Sequence, residues 1–396
     1  MRIDIFTGIK SQYSVLNHFA IKLHDALQDI GVKTRLLSAH EKDLITQITQ
    51  DPPDCTLSMN GITPNKNGHL LFDLLRIPHI SYLADSPLHF MFLRYSPYSI
   101  ITCVDRLAAH FIRTTGFSNA FFMPHAVESS LKVDPHINRS YDVVLMATCI
   151  DHEEIRKSWR KKYSLPLCHV MEEAAEITLS DQITPHYLAF TQALENHEKG
   201  RFTIDQNSLD LIPIFNEIEL YVRGKDRFEI VNNIKDAHVH VFGSKAQIGQ
   251  GWEKYLSHQS NVTIHPAISF TEALKIMQQS KIVLNSCPSI KHGGHERIFA
   301  GLACGALAFT SENPYLSEQF KDGESIAFYR HNQWDKINLS INEYLADDQK
   351  WGTVVSKGQA VVTKHHTWEQ RAQQLMEFLP GVIKSIKLSQ VPSKKS

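Results

Sequence analysis

At 396 residues the chain has room for two or three domains, and two is the expected count. Hydrophobic residues make up 42% and charged residues 21%, which excludes a disordered or fibrous chain. Lys+Arg number 41 and Asp+Glu 42, for a net charge of -1; this even balance argues against a protein that grips nucleic acid through excess basic charge.

The chain opens MRIDIF, with Asp4 inside what would be the apolar core of a signal peptide, so the expected location is the cytoplasm. Short β-branched runs then recur at 2–6, 32–38, 55–60, 79–84, 99–104 and 120–124, separated by stretches with helical spacing such as Val15, Phe19, Leu23, Leu27 and Ile30. The stretch 70–93 is interrupted by Asp73, Arg76 and Asp85, and no apolar run approaches the 18 or so residues of a membrane span, so no membrane partner is expected. Alternation of this kind predicts βαβ units around a parallel sheet, and runs that are apolar on both faces predict helices covering both sides. The first domain is therefore placed at 1–127. The polar, Pro-containing stretch 128–141 reads as a linker.

A second domain is expected over 142–380, opening with the strand DVVLMAT and followed by a helix-rich segment over 151–235. Strand runs resume at 238–243, 261–266, 281–287, 306–311 and 325–330, with FTEALKIMQQS (270–280) the clearest helix between them. Residues 381–396 read as a frayed tail. The fold class is thus α/β, with two Rossmann-like doubly wound domains facing a cleft and a helix-rich insertion in the second. Such domains bind ligands beyond the C-terminal ends of their strands. The six cysteines form no CxxC and sit mostly in apolar runs, as buried thiols do; with no HExxH and no DxD in the chain, neither a metal nor a cofactor is expected.

The richest segment is LNSCPSIKHGGHERIFAGLACGALAFTSENPYLSEQF (284–320). Gly293 and Gly294 stand where a loop turns into a helix, whose unpaired N–H groups suit an anion. Arg297 follows in the first turn, where the helix dipole disfavours a cation by about 0.3–1 kcal/mol, so a basic residue kept there suits an external anion such as a diphosphate. The same residues also read as a plain turn, a dipole-complementing acid at Glu296 and a solvent-exposed arginine stem.

HERIFAGLACGA, the following strand and NPYLSEQF resemble the donor-binding region of GT-B glycosyltransferases, in particular the CgeB-like (spore-maturation-type) group. ALKIMQQSKIVLNSCP upstream and HHTWEQRAQQL (365–375) downstream extend the resemblance, as do YDVVLMA, ITCVDRLAAHF and FMPHAV. The resemblance implies transfer of a sugar from a nucleotide-sugar donor, held mainly by the second domain, to an acceptor that the sequence does not identify: protein, glycan or lipid-linked glycan. It implies that Gly293, Gly294, His295, Glu296 and Arg297 line the nucleotide-diphosphate site and that Gly243, Ser244 and Lys245 form a second wall. The chain departs from the retaining GT-B pattern of two glutamates eight positions apart, which would fall at His292 and Ala300. Glu296 or Glu312 then takes over the ribose contact, or the donor is held differently.

Glycosyl transfer needs a stabilised leaving diphosphate and, in inverting enzymes, a general base. Asp85, with His89 four residues on, is the candidate base, although Asp85-Ser86-Pro87 also reads as a capped helix start. His125 ends the last strand of the first domain and is the third catalytic candidate, while Asp105 reads as a cap. Tyr13 and Ser14, in the loop after the first strand, are candidates for donor or acceptor contact. The expected function is metal-independent glycosyl transfer. The alternatives are a non-catalytic pseudo-transferase, a nucleotide-sugar 2-epimerase and, lacking a GxGxxG fingerprint, an NAD-dependent oxidoreductase.

Overall fold

The computed structural model describes residues 1–390 apart from 10, 132, 134–135, 199–208, 245–247 and 332. The chain divides into two compact units, Met1–Ser130 with Lys364–Ser396, and Leu131–Thr363.

Unit 1 holds six parallel strands: β1 (Arg2–Thr7), β2 (Lys33–Ser38), β3 (Cys55–Met59), β4 (His79–Leu83), β5 (Ser99–Cys103) and β6 (Ala120–Phe122). They lie in the order β2-β1-β3-β4-β5-β6. The central strands β3, β4 and β5 are buried along their whole length, as a sheet covered on both faces requires. The buried His79 of β4 is hydrogen-bonded on both ring nitrogens: it sits between the hydroxyls of Thr56 (2.8 Å) and Ser58 (2.9 Å), with Phe72 stacked on its ring. Asp105 accepts from the Ala108 N–H and caps the helix Arg106–Thr114, as its spacing predicts.

Unit 2 holds β7 (Tyr141–Met146), β8 (Val239–Phe242), β9 (Val262–His265), β10 (Ser280–Asn285), β11 (Leu307–Ser311) and β12 (Ala327–Tyr329), all parallel, in the order β12-β11-β10-β7-β8-β9. The chain reverses direction across the sheet between β7 and β10, so that is the switch point of this unit. Every strand run read from the sequence corresponds to an observed strand. The connection from β7 to β8 carries four helices, His152–Lys162, Leu165–Ser180, His186–Glu198 and Leu211–Asn232, and these are the expected helix-rich segment. A Ser269–Glu272 capping box starts the helix Phe270–Gln278. The core of the unit gathers Val143, Leu145, Val239, Val241, Ile282, Leu284, Leu307 and Phe309 from the strands.

Unit 2 ends at Thr363 rather than near 380, because the helix Trp368–Ser389 covers unit 1. Trp368 packs on Phe19 and Tyr82, Phe378 stacks on Phe121 at 4.1 Å, and Gln374 donates to the Phe122 carbonyl. The helix start is fixed by a Thr367–Gln370 capping box, with Arg371 buried and bonded to the His365 carbonyl. The HHTWEQR segment is therefore part of the unit 1 core.

Candidate functional site

The site in unit 2 assembles where β7 and β10 end. The helix Leu211–Asn232 runs past these ends with Glu219, Arg223 and Arg227 spaced four apart, hence on one face. Arg227 is only 6% exposed and donates from Nη1 to the Thr148 carbonyl, just beyond β7, at 2.8 Å. Its Nε is buried and meets no acceptor among the described residues. Burial pushes its guanidinium down, to about 9, and the neighbouring cations of Arg223 and Arg297 push the same way. Arginine remains charged at neutral pH under that shift.

Arg297 comes from the other side, in the first turn of the helix Glu296–Ala303. It is 7% exposed and donates to Asn285 Oδ1 at the end of β10 (2.9 Å), while Asn285 donates to Thr310 on β11. This side chain is neither a surface stem nor a helix-start cation facing bulk water. His295 caps the same helix by accepting the Arg297 N–H on Nδ1, and that nitrogen also lies 2.6 Å from Glu296 Oε2. Desolvation pushes the His295 imidazole below its ordinary range, opposed by Glu296 and aided by Arg297. Arg223, half-buried, pairs with Glu219 at 3.5 Å. The Cys287 thiol feels the same three guanidiniums, although burial outweighs them and raises its pKa.

Beneath the arginines lies a buried acid. Asp226, fully buried, accepts from Ser286 Oγ (2.5 Å) and from the Tyr329 hydroxyl (3.2 Å), with His331 Nε2 3.2 Å away. Burial beside this carboxylate raises the Tyr329 pKa well above its ordinary value.

The remaining sequence candidates fall as follows. Gly294 is buried, and a Cβ there would meet Phe299 at 2.6 Å, so its own core requires glycine; the Gly293 carbonyl accepts from Asn313 at 3.0 Å. At Gly243 a Cβ would lie 2.0 Å from the Ala147 carbonyl, so the end of β8 runs against that of β7 at glycine distance. Ser244 bonds the Thr148 hydroxyl at 3.0 Å and its carbonyl accepts from the Cys149 N–H, beside the Arg227 contact. Lys245 lies outside the described residues. Glu312 turns to Arg330 (2.7 Å) and Ser317 (3.3 Å). Ala300 is fully buried and His292 bonds the Ile183 carbonyl. Hence Gly293–Arg297, Ser244 and the arginines share one region, whereas Glu312 is engaged elsewhere.

In unit 1, Asp85 is exposed just past β4 and caps nothing: the 3-10 helix Pro87–Tyr95 starts after Ser86 without a side-chain cap. Asp85 instead accepts from Asn60 Nδ2 at 2.7 Å, and Asn60, with a φ of 61°, takes the Ala84 and Asp85 N–H groups on its Oδ1. His89 is exposed within the 3-10 segment. His125 is 2% exposed and packed against Phe19. Tyr13 and Ser14 both have positive φ, at 60° and 58°, in the turn after β1.

Sequence reasoning missed Arg223 and Arg227. The available signal was a pair of arginines at i and i+4, one turn after Glu219, in the helical segment ELYVRGKDRFEIV. Among the described residues no group of three or more His, Cys, Asp or Glu side chains is placed to hold a metal, and no helix is long and apolar enough to cross a membrane.

Comparison with known proteins agrees with this architecture. A family described as glycosyl transferase-like matches residues 226–377, beginning at the buried Asp226. No curated protein matches the chain significantly. Among solved structures, HepE from Anabaena in complex with UDP-glucose is similar over 96% of this chain and 100% of its own, at 12% identity and a TM-score of 0.53. Sucrose-phosphate synthase from Thermosynechococcus elongatus is similar over 97% and 99%, at 10% identity and a TM-score of 0.57. T4 phage BGT, solved with UDP and Mn2+, covers 97% and 99% at 10% identity and a TM-score of 0.52. At these identities the likeness shows the fold: two Rossmann-like α/β domains, each with a parallel sheet, of the kind that make up the GT-B glycosyltransferases.

Proposed function

We propose that the chain is a glycosyltransferase that takes a nucleoside-diphosphate sugar on unit 2 and transfers the sugar to an acceptor hydroxyl. One observation carries the reading: Arg223, Arg227 and Arg297 converge at the switch point of the β7–β10 sheet, and a buried Arg227 Nε there has no acceptor among the described residues. Buried polar groups are almost always satisfied, so an orphaned guanidinium N–H beside two other arginines is matched to an anion that arrives. A diphosphate has the required charge and spread of oxygens. As the glycosyl bond breaks, charge builds on that diphosphate, and preorganised cations stabilise it without reorganising. On this reading the arginines and the helix start at Glu296 do what a divalent ion does elsewhere, and transfer is metal-independent.

The loops after the strands of unit 1 are the proposed acceptor side, with Asp85, oriented by Asn60, as the base and His89 beside it. Tyr13 and Ser14 belong to the same loops. Membership of the CgeB-like group is part of the proposal, supported by the HERIFAGLACGA segment. So is a cytoplasmic location, supported by free cysteines of which five are buried. A second reading has its own observation: Ala300 and His292 stand where retaining enzymes carry glutamates, which favours a nucleotide-sugar binder without turnover.

The test is calorimetric titration with UDP, GDP, ADP, CMP and dTDP and their sugars, followed by an assay for released nucleotide. Binding of one nucleotide family with slow hydrolysis of its sugar supports transfer. Binding with no turnover in the presence of acceptors moves the assignment to the second reading, and no binding of any nucleotide overturns both.

A further inference from the structure

Of the four-helix connection between β7 and β8, the helix Leu211–Asn232 serves the anion site, while a loop between two of the other helices is held by several side chains. Residues 181–184 join the helices Leu165–Ser180 and His186–Glu198. Asp181 folds this loop by accepting the N–H groups of Ile183 and Thr184 and the Thr184 hydroxyl. Three side chains from the far side of the unit then tether its backbone. Lys291 Nζ donates to the Asp181 carbonyl at 2.8 Å, His331 Nδ1 lies 3.2 Å from the same oxygen, and His292 Nε2 lies 3.1 Å from the Ile183 carbonyl.

This loop forms one wall of a cavity of about 360 Å³, within the about 300–1,000 Å³ range of small-molecule sites. Gln182 and Ile183 face Glu312, Asn313, Ser317, Arg330 and Gln333 across it. Most of the lining residues are polar, and the one cation among the described residues there is neutralised: Arg330 pairs with Glu312 at 2.7 Å. A phosphate or carboxylate would therefore find no spare positive charge there. Among the described residues no aromatic side chain lines the cavity to sandwich a nucleobase. What remains is a set of amide, hydroxyl, carboxylate and guanidinium groups with two small apolar surfaces, Ile183 and Pro314. One lining group is already desolvated and unmatched: Gln182 Nε2 is buried and meets no acceptor among the described residues. Asn313 links the cavity to the anion site, since its Nδ2 also holds the Ile290 and Gly293 carbonyls of the loop leading to His295.

We propose that this cavity is a binding subsite for an uncharged saccharide unit, separate from the arginine cluster. Hydroxyls of a sugar accept from Gln182 Nε2 and donate to Glu312 and the lining amide oxygens, while C–H faces of the ring rest on Ile183 and Pro314. The helical connection thereby acquires a role as the wall that selects a sugar. The inference stands on the chemistry of the cavity and does not require the transferase reading.

The experiment is saturation-transfer NMR on the full chain with the methyl glycosides of glucose, galactose, mannose and N-acetylglucosamine, each with and without UDP. The expected result is transfer to ring protons of at least one glycoside. Gln182→Ala should weaken its affinity about threefold to tenfold, the contribution of one hydrogen bond in a site built for it, while UDP affinity is unchanged. Ser317→Trp, at an exposed position on the rim, fills the cavity without touching the core and abolishes the signal. A signal without UDP identifies a free or acceptor sugar as the occupant. Weakened affinity of Gln182→Ala for a nucleotide sugar, but not for UDP, identifies the donor sugar. No signal from any glycoside in either condition, or signals equal in both variants and the parent chain, overturns the proposal. Failure of UDP to bind would overturn the functional reading alone and leave the glycoside measurements interpretable.

Discussion

Replacing Arg227 by methionine separates a ligand-binding arginine from a structural one, because the two roles predict opposite signs. Arg227 is 6% exposed, and burial with two like-charged neighbours depresses its pKa from 12.5 to about 9. At about 1.4 kcal/mol per unit, that depression sets a ceiling of about 5 kcal/mol on the strain of holding the cation there. Loss of the bond to the Thr148 carbonyl takes back about 1 kcal/mol. The strain of the cation outweighs that one bond, so Arg227→Met should raise the unfolding midpoint of the ligand-free protein. For a unit of this size the rise is about 2–4 °C per kcal/mol. On the proposed function the same change also removes a charge-assisted contact to diphosphate, a loss of about 1.5–3 kcal/mol, or about ten- to 150-fold in UDP affinity. Scanning calorimetry without ligand and titration calorimetry with UDP read the two effects independently. A variant that melts earlier and binds UDP as tightly as the parent refutes the argument and makes Arg227 a structural tie to Thr148. Arg227→Lys keeps the charge but loses the planar fork, and should fall between the two in UDP affinity.

Asp85→Asn should lower kcat by about 100-fold or more, the usual weight of a positioned base, with donor KM nearly unchanged; parallel losses of melting temperature and activity would assign Asp85 a purely structural part with Asn60. Acid should weaken unit 1 before carboxylates titrate. Burial pushes His79 and His366 down to about 3, against an ordinary 6.5. Because the unfolded chain binds these protons first, stability is complete above pH 6.5 and is lost as pH falls from there toward 3. Each imidazole contributes about 2 kcal/mol of loss between pH 7 and pH 5, so urea titrations should register about 4 kcal/mol for the pair; a flat profile over that interval contradicts their buried neutral state. Finally, if the proposed transfer takes place, EDTA should leave its rate intact, and a loss restored by Mn2+ or Mg2+ would defeat the metal-independent reading.

The strands were legible because each is a short, β-branched run bounded by turn residues, and a buried parallel sheet leaves that signature without help from distant contacts. Helix amphipathicity carries less. The apolar stripe of Trp368–Ser389 announces a buried face, but nothing in its period says which sheet it covers, so its return to unit 1 could not be read. The candidate site divides along the same line. Gly293–Arg297 are visible because local chemistry, glycines before a helix and a misplaced cation, breaks the rules of an ordinary helix start. Arg223 and Arg227 obey local rules, and only the packing of their helix across β7 and β10 turns them inward. Asp85 shows the reverse error of locality: Asp-Ser-Pro spells a helix cap, but Asn60, a left-handed residue 25 positions earlier, claims its carboxylate.

The return of the last helix to unit 1 has a consequence for synthesis. Unit 1 is written in two instalments, 1–130 and 364 onward, with the whole of unit 2 between them. At about 5–20 residues per second, a ribosome spends roughly 10–50 s on the intervening stretch. During that time the surfaces of Phe19, Tyr82 and Phe121 that Trp368 and Phe378 later cover lie open, while unit 2, contiguous in the chain, is free to finish first. The N-terminal unit is begun first and completed last, and the interval in between is when its sheet, already synthesised, waits for its covering helix.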